Sequence, residues 1–297
     1  MQELHVYIAA RSRRTTHEED RIYGIQQIFG LRLGNTTPST TRKVFNFEQL
    51  DAQLAEELLL KYPIQSQMHV FSCHVPPRAR WRVQPCSQTF SADMCRTDQI
   101  LDGGPRESTD SRDFACCQFL VDYNSRTAKP VHFAGRMSSF NKLNQIWEKI
   151  VQKIALMRCR ESGLDDRYIH CFGLDPLILE LDAINELLGA PQLGINSKEI
   201  IQWLLQRFPD DQLRVLLLGI HWYSETIGLY PRAMYGLLML PYQELWERVG
   251  ICQWSCQYDY TSPHIGLQKD EKSFLRGDGE LWVEQKGIFG YVDQESI

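Results

Sequence analysis

Histidine and cysteine supply the first candidates for chemistry in this chain. His69, Cys73 and His74 lie close together. If they sit on a strand, alternate side chains share a face, so His69 and Cys73 point one way and His74 the other. A closed zinc site needs four nitrogen or sulfur ligands. Cys86 and Cys95 could supply two more, but the spacing matches no finger or ribbon. His170–Cys171, with Asp165, Asp166 and Asp175 nearby, holds the pieces of a thiolate–imidazole pair. Nucleophile and base must meet for that chemistry, and neighbours along one strand point apart. Cys252 and Cys256 are spaced too widely for a CxxC turn. With the adjacent Cys116 and Cys117, they read as core or half-exposed thiols.

Other site chemistries lack their signatures. Gly103-Gly104-Pro105 is glycine-rich but is not followed by Gly-Lys-Ser/Thr or by a helical pattern, so it reads as a flexible loop. The sequence has no Gly-x-Ser-x-Gly, no His-Glu-x-x-His and no calcium loop. No catalytic, cofactor-binding or metal residue is assigned, and the expectation is a chain that is not an enzyme and uses no cofactor. The alternative is an enzyme whose site is assembled from dispersed His, Cys and Asp residues around His69–Cys73 or His170.

Composition narrows the partners. The net charge is −5, and the densest basic cluster, Arg11, Arg13 and Arg14, runs straight into Glu18, Glu19 and Asp20. That pattern reads as a solvated stretch, not as a phosphate-binding patch. The start lacks the basic and apolar regions of a signal peptide. The apolar runs at 215–220 and 235–240 are far shorter than the roughly 20 residues that span a bilayer. The expectation is a cytoplasmic protein with a protein partner, not a nucleic-acid or membrane partner. Nine cysteines, an odd number, read as reduced, buried hydrophobes in that compartment, not as a disulfide framework.

The elements that would position these groups follow from periodicity. Thr16-x-x-Glu19 has capping-box spacing before the stripe Ile22, Ile25, Phe29, with Gly30 and Gly34 as stops. Tyr23 is expected to be buried and to pack this first helix against later strands. Asn46-x-x-Gln49 opens a second helix that Pro63 ends. Strands are expected at 68–75, 81–83, 114–121 and 131–134, with a loop over 87–112. A long amphipathic helix covers 141–158, facing the core with Leu143, Trp147, Ile150 and Ile154. A linker at 160–166, a strand at 168–172, and helices at 175–188 and 197–208 come next. The last third holds three apolar runs, 213–220, 234–240 and 249–254, which form an antiparallel meander, with a final pairing near Trp282 and Gly287–Gly290. The fold class is α+β: amphipathic helices packed on antiparallel hairpins and a meander. The division is 1–160, helical and hairpin, and 161–297, helix pair and β-rich, with one continuous domain as the alternative.

Two stretches resemble a known family. Asp20, Arg21, Ile22, Tyr23, Gly24 and Ile25 are similar to a run that follows the core of fungal heterokaryon-incompatibility (HET-domain) proteins. Gly219, then Gly236, then Arg248, Gly250 and Trp254 resemble that family's C-terminal strands. The core's own Leu-Ser-Tyr-x-Trp-Gly and Asp-x-x-Cys-Ile-x-Gln runs are absent. The resemblance implies the accessory region that follows the core, and a role in nonself recognition and cell-death signalling. Its motifs are patterns of packing, not of catalysis.

Overall fold

Val215, Leu216, Leu217 and Leu218 are all fully buried. A continuous apolar run in an antiparallel strand means that both faces of the sheet are covered. Leu216 and Leu218 join one core cluster with the N-terminal helices. Val215 and Leu217 join a second with the later helices. This two-sided sheet organises the computed structural model, which describes residues 2–34, 45–90, 112–123, 129–162, 177–182, 197–209, 212–225, 228–255 and 266–292.

The elements begin with α1 (Gln2–Ser12), α2 (Asp20–Gln26) and α3 (Phe47–Lys61). A small hairpin, β1 (His69–Phe71) and β2 (Ser87–Thr89), precedes β3 (Arg112–Ala115), β4 (Cys117–Val121) and β5 (Lys129–Ser139). Next come α4 (Phe140–Ser162), β6 (Leu177–Leu181) and α5 (Ser197–Arg207). The chain then runs through β7 (Arg214–Glu225), β8 (Gly228–Tyr242), β9 (Leu245–Ser255), α6 (Lys269–Arg276) and β10 (Val283–Val292). The class is α+β, as expected.

The expected meander is β7–β8–β9, antiparallel throughout. The pairing then closes on itself. β10 meets β9 in parallel at Ile288–Leu245 and runs antiparallel to β5, and β5 returns to β7 at Met137–Leu216. As β5 and β7 diverge, β3 pairs with β7 and β4 with β5, so one stretch of chain fills the gap. Cys116 marks the change of partner, its N–H donating to the Leu218 carbonyl at 2.8 Å. β6 fills the corresponding gap beside β9. Strands from both sides of residue 160 therefore share one sheet.

Local chemistry explains several elements directly. Asn46 and Gln49 make a reciprocal capping box at the start of α3. Leu143, Trp147, Ile150 and Ile154 bury one face of α4. Phe274 of α6 sits between Trp147 and Trp254, with centroids 5.6 and 5.5 Å away. Gly30 and Gly34 have positive φ, the conformation expected of helix stops.

Several expectations are corrected. Thr16 is not a cap: α2 begins at Asp20 after a turn in which Asp20 N–H donates to the His17 carbonyl, and Glu19 makes no side-chain cap bond. Arg11 is not a solvated group; it lies on α1 and is largely buried against Asp51. Tyr23 is 39% exposed, because Ile22 and Ile25 occupy the inward face of α2 and leave Tyr23 on its flank. Residues 81–83 are not a strand. Trp81 and Val83 are both buried, so they mimic alternation, but β1 pairs with 87–89 instead. Leu177–Leu181 is a strand where a helix over 175–188 was expected; its alternate leucines suit pairing with β9, and that tertiary contact overrides the Asp-Pro signal. Of the loop expected over 87–112, 87–89 is strand β2 and Arg112 begins β3, while 91–111 lie outside the described residues, as does the strand expected at 168–172 with His170 and Cys171.

Candidate functional site

The densest buried polar cluster lies where the β1–β2 hairpin meets β6 and β9. Asp182, just past β6, accepts at both carboxylate oxygens. Phe71 N–H donates to Oδ1 at 3.0 Å and Arg248 Nε to Oδ2 at 3.1 Å. Arg248 also donates through Nη1 to Gln67 Oε1 at 3.2 Å, and that nitrogen lies 3.5 Å from His69 Nε2. Its guanidinium stands over the Phe71 ring. Arg80 donates to the carbonyls of Val75 at 2.7 Å and Arg248 at 3.0 Å, and forms an ion pair with Glu247. Gln67 completes the set by donating to the Trp81 carbonyl at 2.9 Å. Gln67, His69, Arg80, Asp182 and Arg248 are all fully buried or within 1% of it.

Electrostatics in this cluster are set by dehydration. Burial pushes the Asp182 carboxyl up, opposed by the Arg248 charge. Burial also pulls Arg248 down, opposed by Asp182. The same cause lowers Arg80, against the pull of Glu247. His69 falls well below the ordinary imidazole range through burial and the Arg248 charge, so its ring is neutral. A guanidinium can only donate, so Nε2 accepts and the ring proton belongs on Nδ1. Among the described residues, Arg80 Nη2, Arg248 Nη2 and His69 Nδ1 find no hydrogen-bond partner, which adds to the cost of burial.

A second cluster ties α1 to α3. Tyr7 Oη donates to Asp51 Oδ1 at 2.8 Å. Arg11 Nη1 donates to Asp51 Oδ2 at 2.7 Å and to the Val83 carbonyl at 3.0 Å. Burial raises the Tyr7 phenol, and the Asp51 charge raises it further. Burial alone would lower Arg11, but Tyr7 and Asp51 together outweigh it and its pKa rises. A small recess, partly open to solvent, lies between the clusters and is lined by Tyr7, Gln67 and Trp81. Its interior has room for about one water molecule. His69, Asp182 and Arg248 do not line it.

Neither cluster is arranged for chemistry on a substrate. His69 is neutral and closed off, and each carboxylate described above is engaged by a fixed donor. Among the described residues no three His, Cys, Asp or Glu side chains could hold a metal ion. The expected candidates separate: His69 is buried, His74 is exposed and Cys73 is bonded to Cys86. That disulfide corrects the reading of the cysteines as uniformly reduced. The hairpin brings Ser72 N–H to the Cys86 carbonyl at 2.9 Å, so the two cysteine Cα atoms stand 5.8 Å apart, within bonding reach. Burial raises the thiol pKa of Cys116, Cys117 and Cys252.

The family-like residues fall in two places. Asp20, Arg21, Ile22, Tyr23 and Gly24 lie on α2, where Ile22 is buried and the Arg21 guanidinium sits over the Phe47 ring. Gly219, Gly236, Arg248, Gly250 and Trp254 lie on the meander. Gly236 is required there, because a methyl group would overlap Val215 Cγ1 and come within 3.2 Å of Cys252 Sγ. Only Arg248 enters the polar cluster. The cluster's other members Asp182, Gln67, Arg80 and Glu247 carry no sequence signal beyond being polar residues beside apolar runs. Comparison with family models, curated proteins and solved structures finds no match. Among the described residues, no helix is long and apolar enough to cross a membrane.

Proposed function

We propose that this chain is a non-catalytic accessory and interaction region of the heterokaryon-incompatibility type. It would act in the cytosol, in nonself recognition and cell-death signalling, and bind a protein partner instead of nucleic acid or membrane. The observation that carries this reading is the internal pairing of Arg248 with Asp182. The C-terminal family-like strands spend their one charged motif residue, Arg248, on the fold and do not hold it free for a substrate. The other family-like run leaves Tyr23 39% exposed on α2, and Ile28, just after α2 and outside the run, is 60% exposed. Exposed tyrosine and aliphatic side chains suit a protein contact.

The test uses the organism that carries the gene. Deleting it should lower the fraction of incompatible hyphal fusions that take up a vital dye. Restoring it with Tyr23→Ser should leave the protein folded, with at most a small shift in its melt, but fail to restore the response. Dye uptake unaffected by the deletion would overturn the assignment.

A further inference from the structure

The residues between Cys73 and Cys86 form a strap laid across β9 and β10, and the disulfide joins its two ends. Within the strap, Arg80 bonds the Arg248 carbonyl at 3.0 Å and pairs with Glu247. Trp81 Nε1 donates to the Tyr291 carbonyl at 3.0 Å, and the indole packs against Gly290. Arg78 stands over the Tyr291 ring. Arg78, Arg80 and Trp81 thus fasten the strap to β9 and β10.

The ends of the strap differ from its middle. Cys73 is exposed and Cys86 half-buried, whereas Arg80 and Trp81 are within 1% of full burial. A reductant can reach the sulfurs without first unfolding the anchors. Among the other cysteines of the described residues, Cys117 and Cys252 are buried with raised pKa values, and burial raises the half-buried Cys116 too, so all three are poor partners for exchange.

We infer that the Cys73–Cys86 disulfide is a redox-modifiable latch, opened by a dithiol reductant of the thioredoxin class, and that its reduction frees the strap to lift from β9 and β10. A thiolate of the dithiol attacks one sulfur, giving a mixed disulfide, and its second thiol resolves it. The protein disulfide takes two electrons and two protons to become two thiols, while the dithiol becomes a disulfide. In a reducing compartment a surface disulfide of this kind is a transient, sensing feature. Cutting it removes the constraint on a loop whose ends are 13 residues apart. For that length the strap should open about 100-fold more readily.

The full chain tests this by hydrogen exchange and thiol mapping. Air-oxidised protein should yield a Cys73–Cys86 linked peptide. Native-state dithiothreitol should cleave it and speed amide exchange across 74–86 by about 100-fold, with β7 and β8 unchanged. Cys116→Ser should keep this response, and Cys73→Ser/Cys86→Ser should exchange fast without reductant. If the double variant does not fold, the oxidised and reduced wild-type protein still decide the question. Free thiols at both positions in unreduced protein, or strap exchange indifferent to reduction, would overturn the proposal.

Discussion

Arg248 and Asp182 meet with Nε 3.1 Å from Oδ2, and neither side chain is more than 1% exposed. The pair stitches β9 to the end of β6, and through Phe71 N–H it holds the small hairpin as well. Burial acts against the charge on both partners. Such a pair contributes little net stability compared with apolar residues of the same shape, yet breaking it from one side is costly. The cluster therefore serves to fix which elements meet and where, and offers no reacting groups to solvent.

The two neighbours in the first family-like run should behave differently. Ile22 is fully buried, so Ile22→Ala should lose about 2–5 kcal/mol in chemical denaturation. Tyr23 is 39% exposed, and Tyr23→Ala should lose about 1 kcal/mol or less. Equal losses would mean that α2 is rotated from its described setting.

Glycine substitutions separate packing from helix propensity. Gly236→Ala would place a methyl group against Val215, at a cost of about 1–3 kcal/mol. Gly24, on α2, has nothing within 4 Å of an added methyl group. Gly24→Ala should instead stabilise by about 0.5–1 kcal/mol. Thermal melts of the two variants should move in opposite directions.

Glu56 predicts a pH dependence. Burial pushes its carboxyl up from 4.5 to about 7, with Lys129 opposing and Glu57 adding to the shift. The folded-state pKa is thus above the unfolded one. Its contribution to stability is fully present below pH 4.5 and is lost as pH rises through about 7. Glu56→Gln should be more stable than the parent by about 1–2 kcal/mol at alkaline pH, after allowance for solvent screening. The advantage should vanish in acid. Urea midpoints across that range check it; an advantage that grows toward acid would contradict the sign.

What the sequence showed of the fold follows the strength of its local signals. The stripe of α4, the capping box of α3 and the apolar runs of β7, β8 and β9 each repeat one period without competition, and each forms as expected. Leu177–Leu181 carries an alternating pattern behind an Asp-Pro helix signal, and only pairing with β9 decides between them. Trp81 and Val83 alternate because both are anchors of a strap, a reason invisible along the chain. α1 went unread because its apolar residues run together without a helical stripe. The polar cluster was the least legible part. Gln67, Arg80, Asp182 and Arg248 are far apart in sequence, and ordinary surface residues have the same types. Likewise the disulfide depends on a hairpin register that the spacing of Cys73 and Cys86 does not reveal.

A double-mutant cycle on Asp182 and Arg248, read by equilibrium urea unfolding, tests the structural role of the cluster most directly. Asp182→Leu and Arg248→Met should each lose about 3–5 kcal/mol, because each strands a buried charge. Together they should lose clearly less than the sum, with a coupling of about 2 kcal/mol or more. Small, additive losses would show that the two groups do not hold the hairpin, β6 and β9 together, and the account of the cluster as a structural clamp would fail.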